Sequence, residues 1–100
     1  MVYATLIDEV LADLGYAAEA VSAQTLQRVA AILERARSYI TNIAGTSVDF
    51  ETDLLARQMV ITYCRYANSH CENLFPLNYR GDLLELNLKY AGDDDGEDAE

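Results

Sequence analysis

SAQTLQRVAAILERARSYITNIAG, residues 22–45, is the stretch on which the fold turns. Leu26, Val29, Leu33, Ala36, Ile40 and Ile43 follow one another at alternating steps of three and four, the period of a helix with one buried stripe. Ile32 and Tyr39 widen that stripe, while Gln24, Gln27, Arg28, Glu34, Arg35 and Ser38 cover the outside. Ser22 is a good N-cap, because its hydroxyl can accept from an orphan backbone N–H, and Gly45 suits a left-handed stop. The seam is too short for an independent coiled coil, so the spacing predicts a bundle helix over residues 23–44.

Working outward, Leu6, Ile7, Val10, Leu11 and Leu14 form a second stripe, opposed by Thr5, Asp8, Glu9 and Asp13. This predicts a helix over about residues 3–14, with Gly15 at its C-terminal end. On the other side, Asp49 is placed to cap a third helix over about residues 50–72. Its apolar face takes in Ala56, Met59, Val60, Tyr63, Ala67 and His70, extended sideways by Phe50, Leu54, Ile61 and Cys64. Only an arc through Arg57, Gln58, Arg65, Asn68 and Glu72 is strongly polar. A helix apolar on most sides is central in its bundle or pressed against a neighbouring subunit.

NLFPLNYRG, residues 73–81, reads as a break at Pro76, unusually greasy for a connection. Residues 82–91 fit two periods. Leu84, Leu86, Leu88 and Tyr90 alternate as in a half-buried strand, yet Leu83, Leu84, Leu88 and Ala91 share a helical face. A strand here would need a partner on another molecule, so helix and strand both stay open. Residues 93–100, DDDGEDAE, hold six acids and no large apolar side chain, the composition of a flexible tail. The sequence thus predicts an all-α domain over residues 1–92 and an acidic tail over 93–100.

The net charge is −10, of which −6 lies in that tail. Such a surface repels phosphate backbones and opposes a basic grip on nucleic acid. No apolar run approaches the roughly 20 residues that span a bilayer, and the first residues lack the basic start of a signal peptide. A reducing cytoplasm is expected, with Cys64 and Cys71 as free thiols: on one helix they stand about 10 Å apart along the axis.

Cys64, His70 and Cys71 are the one cluster that invites a catalytic reading. His70 and Cys71 are neighbours on a predicted helix, so their side chains diverge by about 100°. Three candidate ligands on one helix do not converge on zinc, and no further Cys or His completes the set. Asp49, Glu51 and Asp53 are explained by a helix start, and the acidic tail does not match the spacing of a calcium loop. No glycine-rich phosphate loop or nucleophile elbow is present. No catalytic, metal or cofactor residue is assigned and no enzyme activity is expected.

The order of features nevertheless resembles a known group. A short acidic helix, a long one ending in ARSYITNIAG (36–45), LLARQMVITYCRYANSHCENLF (54–75) and NYRGDLLELNLKYAG (78–92) together resemble the small helical head–tail connector (adaptor) proteins of long-tailed double-stranded-DNA bacteriophages. The resemblance covers residues 6–92 and is one of spacing and aromatic placement, not of a catalytic signature. It implies a non-enzymatic protein of the phage neck in the virion, made in the bacterial host cytoplasm. It further implies a homo-oligomeric, dodecameric ring beneath the portal protein, joined below to a tail-side neck or tail-completion protein. DNA would pass through without specific binding, and no membrane or cofactor would be involved. Leu74, Phe75, Leu77, Tyr79, Leu84, Leu86, Leu88 and Tyr90 become the candidate oligomer or portal interface. The alternative is a regulatory module that captures a partner protein on its amphipathic helices.

Overall fold

The long stripe of residues 23–44 folds as read. In the computed structural model, which describes residues 5–17 and 20–98 and no side chains beyond Ala91, α2 is Ala23–Ala44. Ser22 Oγ accepts the Thr25 N–H at 3.1 Å, and Gly45 closes the helix at φ 82° with its N–H on the Thr41 carbonyl at 2.8 Å. Val29, Leu33, Ala36 and Ile40 of the seam are buried, while Leu26 at one end is 43% exposed.

Helix α1 is Leu6–Asp13, shorter at both ends than expected; the first residues of the expected span, before Thr5, lie outside the described residues. Thr5 caps it by accepting the Asp8 N–H at 3.3 Å. Gly15, at φ 93°, closes it with paired bonds, Tyr16 N–H to the Leu11 carbonyl and Gly15 N–H to that of Ala12.

Helix α3 is Leu54–Asn68, and here two expectations are corrected. Its cap is Asp53, not Asp49: Asp53 Oδ1 accepts the Ala56 N–H at 3.0 Å. Asp49 instead starts a turn, its Oδ1 accepting the Glu51 N–H at 2.9 Å and its carbonyl the Asp53 N–H at 3.0 Å. That turn inserts Phe50 into the core and delays the helix. At the far end α3 stops four residues early, because His70 takes a left-handed backbone (φ 61°) while the Cys71 N–H bonds back to the Tyr66 carbonyl. His70 is consequently exposed and not part of the apolar face, as is Leu54 at 74%.

A 3₁₀ turn, Glu72–Leu74, leads into a one-turn helix α4, Phe75–Asn78. Pro76 therefore begins a helix, at its first turn where no N–H is needed. Helix α5 is Arg80–Asp98, so residues 84–90 are helical and, among the described residues, there is no strand. Among the described residues the chain is an all-α bundle of five helices, where three main ones and a short C-terminal helix or strand were expected. α5 thus runs on past 91, where the short C-terminal element was expected to end, through six residues of the expected acidic tail; the side chains of 92–98, and residues 99 and 100, lie outside the described residues.

α2 is the hub, packing against α1, α3 and α5. The strongly polar arc of α3 does not simply face solvent. Arg57 grips the Glu9 carboxylate with two bonds, at 3.1 and 2.8 Å, and Arg65 meets Asp13 at 3.2 Å. Both pairs run in the same order along the chain, so α1 and α3 lie parallel with their charges matched. The breadth of apolar surface on α3 is used internally: Ala56, Met59, Val60, Ile61, Cys64 and Ala67 are all buried.

Candidate functional site

Phe75 organises the end of the bundle from which the candidate interface was drawn. It is fully buried, with ring centroids of Tyr39, Tyr63, Tyr66 and Tyr79 at 5.9, 5.4, 5.8 and 5.2 Å. Three of these contacts are edge-on and Tyr79 is stacked, arrangements that rings of this polarity favour. The Tyr66 hydroxyl accepts from Asn78 Nδ2 at 2.9 Å, which ties α4 to α3.

This arrangement divides the eight candidate interface residues. Phe75 and Leu86 are fully buried and belong to the chain's own core, so neither is available to a partner. Tyr79 and Tyr90 are half-buried against that core, and the Tyr90 hydroxyl donates to Asp53. Leu74, Leu77, Leu84 and Leu88 remain exposed, the last three at 60, 56 and 59%. On α5, Leu83 and Leu86 turn inward while Leu84 and Leu88 occupy the opposite side. A contiguous set in the sequence has become an inner layer and an outer one.

α5 is held by polar contacts as well. Asn87 Nδ2 donates to the Ile43 carbonyl at 2.9 Å, and Lys89 Nζ lies 3.1 Å from Asp53 Oδ2. Burial pushes the Asp53 carboxyl up, but hydrogen bonds from Tyr90, the Ala56 N–H and Lys89 outweigh it and hold the group below its ordinary value.

The thiol cluster does not assemble. Cys64 is fully enclosed, and burial, reinforced by the charge of Asp13, pushes its thiol up to about 12. Cys71 is half-buried, its thiol 3.5 Å from the Tyr66 carbonyl to which it donates, and His70 points from the turn beyond. Among the described residues no group of three His, Cys, Asp or Glu side chains is placed to hold a metal ion, and no helix is long and apolar enough to cross a membrane.

Among the described residues, three of the surface concavities each measure about 350 Å³. Two flank Arg37, Val48 and Phe50. The third lies between α2 and the end of α3, lined by Arg28, Ala31, Ile32, Arg35, Ala67, His70 and Glu72. Nothing in the sequence marked this third one, since its walls come from two stretches, 28–35 and 67–72, that lie some thirty residues apart in the chain. Arg28 is fixed there, donating to Asn68 Oδ1 at 2.7 Å and to the Tyr16 hydroxyl at 3.0 Å.

No family model, curated protein or solved structure matches the chain.

Proposed function

We propose that the chain is a structural connector: a non-enzymatic protein that forms a ring under a phage portal, extends the DNA channel and joins head to tail. The observation that supports this most is the outer layer on α4 and α5. Leu77, Leu84 and Leu88 stay in solvent although the core beneath them is filled by Phe75, Leu83 and Leu86. Leucines that the fold leaves outside, on a chain without a catalytic constellation among its described residues, suit a surface made for other proteins. A net charge of −10 suits a channel that DNA traverses without sticking.

Electron microscopy of the protein mixed with its cognate portal tests this. The expected result is added ring density beneath the portal. A one-to-one complex with some other protein and no ring would favour the regulatory module instead, and a chain that never joins the portal removes the connector reading.

A further inference from the structure

We propose that the concavity between α2 and the end of α3 receives an acidic residue with an apolar neighbour, carried on a short segment of a partner protein. This rests on the part of the reading above that makes the chain a binder of other proteins, whether or not it closes into a ring.

Charge singles this concavity out. Arg37, Arg57, Arg65 and Lys89 each face a carboxylate within the chain. Arg28 and Arg35 make no ion pair among the described residues, and both line the same hollow. Arg28 is held by Asn68 and Tyr16, neutral acceptors that occupy two of a guanidinium's five donors and leave its charge unmatched. Against the two guanidinium groups stands the Glu72 carboxylate, so with His70 counted neutral the walls carry a net +1. One carboxylate balances that charge, whereas a phosphate dianion would overshoot it beside Glu72. The other two hollows offer no such match. Arg37 serves both and already pairs with Glu34, and Asp49 and Glu51 stand in the walls of one.

Shape selects the rest of the occupant. Ile32 and Ala67, both buried, form an apolar floor, and the small, exposed Ala31 keeps the mouth open. Arg28 and Arg35 are seven residues apart on α2, roughly 10 Å along its axis, the reach of about three residues of extended chain. A peptide segment of that length sets its carboxylate on the arginines, an apolar side chain on the floor and a main-chain carbonyl on a remaining donor. Arg28 is already positioned by its two bonds, which lowers the ordering cost of binding.

Nuclear magnetic resonance of the isotope-labelled full chain tests this, following the amides of Ala31, Ala67 and His70 as acetyl-Leu-Glu-Leu-amide or acetyl-Leu-Gln-Leu-amide is added. The glutamate peptide is expected to shift these signals saturably and to bind at least about tenfold more tightly than the glutamine peptide. Added salt should narrow that gap. Arg35→Gln should abolish the preference, and Ala31→Phe should weaken the glutamate peptide at least about tenfold by filling the mouth. Both positions are exposed, and the variants' own spectra report whether they fold. Equal binding of the two peptides, a preference that survives Arg35→Gln, or no saturable shift at these residues overturns the proposal. Hexanoate or inorganic phosphate binding as tightly as the glutamate peptide would make the occupant a free small anion and overturns it too. Microscopy with the portal judges the ring separately. Rings without peptide binding sink this site alone, and peptide binding without rings leaves the site standing while the connector falls.

Discussion

Tyr90 donates its hydroxyl proton to Asp53, the residue that also caps α3, so one carboxylate joins the start of α3 to the middle of α5. Lys89 reaches the same Oδ2 from one residue earlier on α5. Three donors converge on a side chain that is almost wholly buried, which makes Asp53 both a helix cap and a clasp.

Asp53→Ala removes the cap and strands the Tyr90 hydroxyl, so a loss of about 2–3 kcal/mol is expected. Asp53→Asn keeps a capping oxygen and should lose less. Tyr90→Phe should cost about 1 kcal/mol. Urea denaturation measures all three; equal stability of Asp53→Ala and wild type would contradict the clasp.

The pH dependence follows from two carboxylates. The Arg57 guanidinium bonded to Glu9 holds that carboxyl below its ordinary 4.5, and Asp53 lies below its ordinary 3.8 for the reasons given above. A folded-state value below the unfolded one contributes stability that is complete above the ordinary value. It is lost as pH falls from there through the folded value. Stability should thus be flat from neutrality down to the ordinary carboxylate range and fall below it. Asp53→Asn should flatten the acid limb more than Glu9→Gln, because Glu9 is 39% exposed and water screens its pair. Denaturation midpoints across an acid series give the comparison.

Phe75 and Leu77 stand two residues apart and should respond oppositely to truncation. Phe75→Ala empties the centre of four tyrosines and is expected to cost about 3–5 kcal/mol. Leu77→Ala removes an exposed side chain and should change stability by less than about 0.5 kcal/mol. A large loss at Leu77 in the isolated chain would place it in the core.

Cys64 and Cys71 should differ in reactivity. Below pH 9 a thiol-specific colorimetric reagent should label Cys71 and leave the enclosed Cys64, whose thiol is pushed up to about 12, unmodified until denaturant is added. Two fast-reacting thiols in the native protein would contradict the enclosure of Cys64.

Much of the architecture was legible in local chemistry. Ser22 and Gly45 bracket α2, and Gly15 closes α1, because capping depends on a side chain and backbone groups within a few residues. The third helix was read too long at both ends for the same kind of reason. Asp49 and Asp53 are equally good caps in sequence, and only the need to turn Phe50 inward chose between them.

By itself, then, the order of residues determined that the chain is helical, where its longest helix starts and stops, and which stripe of that helix is buried. Periodicity and capping are short-range properties, complete within a few turns of backbone. Tertiary structure alone decided that residues 84–90 form a helix, since alternating leucines satisfy both periods until α2 offers Leu83 and Leu86 somewhere to pack. It also decided which greasy residues of 74–90 are core and which are left outside. Burial is set by neighbours distant in the chain, and no spacing along one strand of sequence records what will stand across from it.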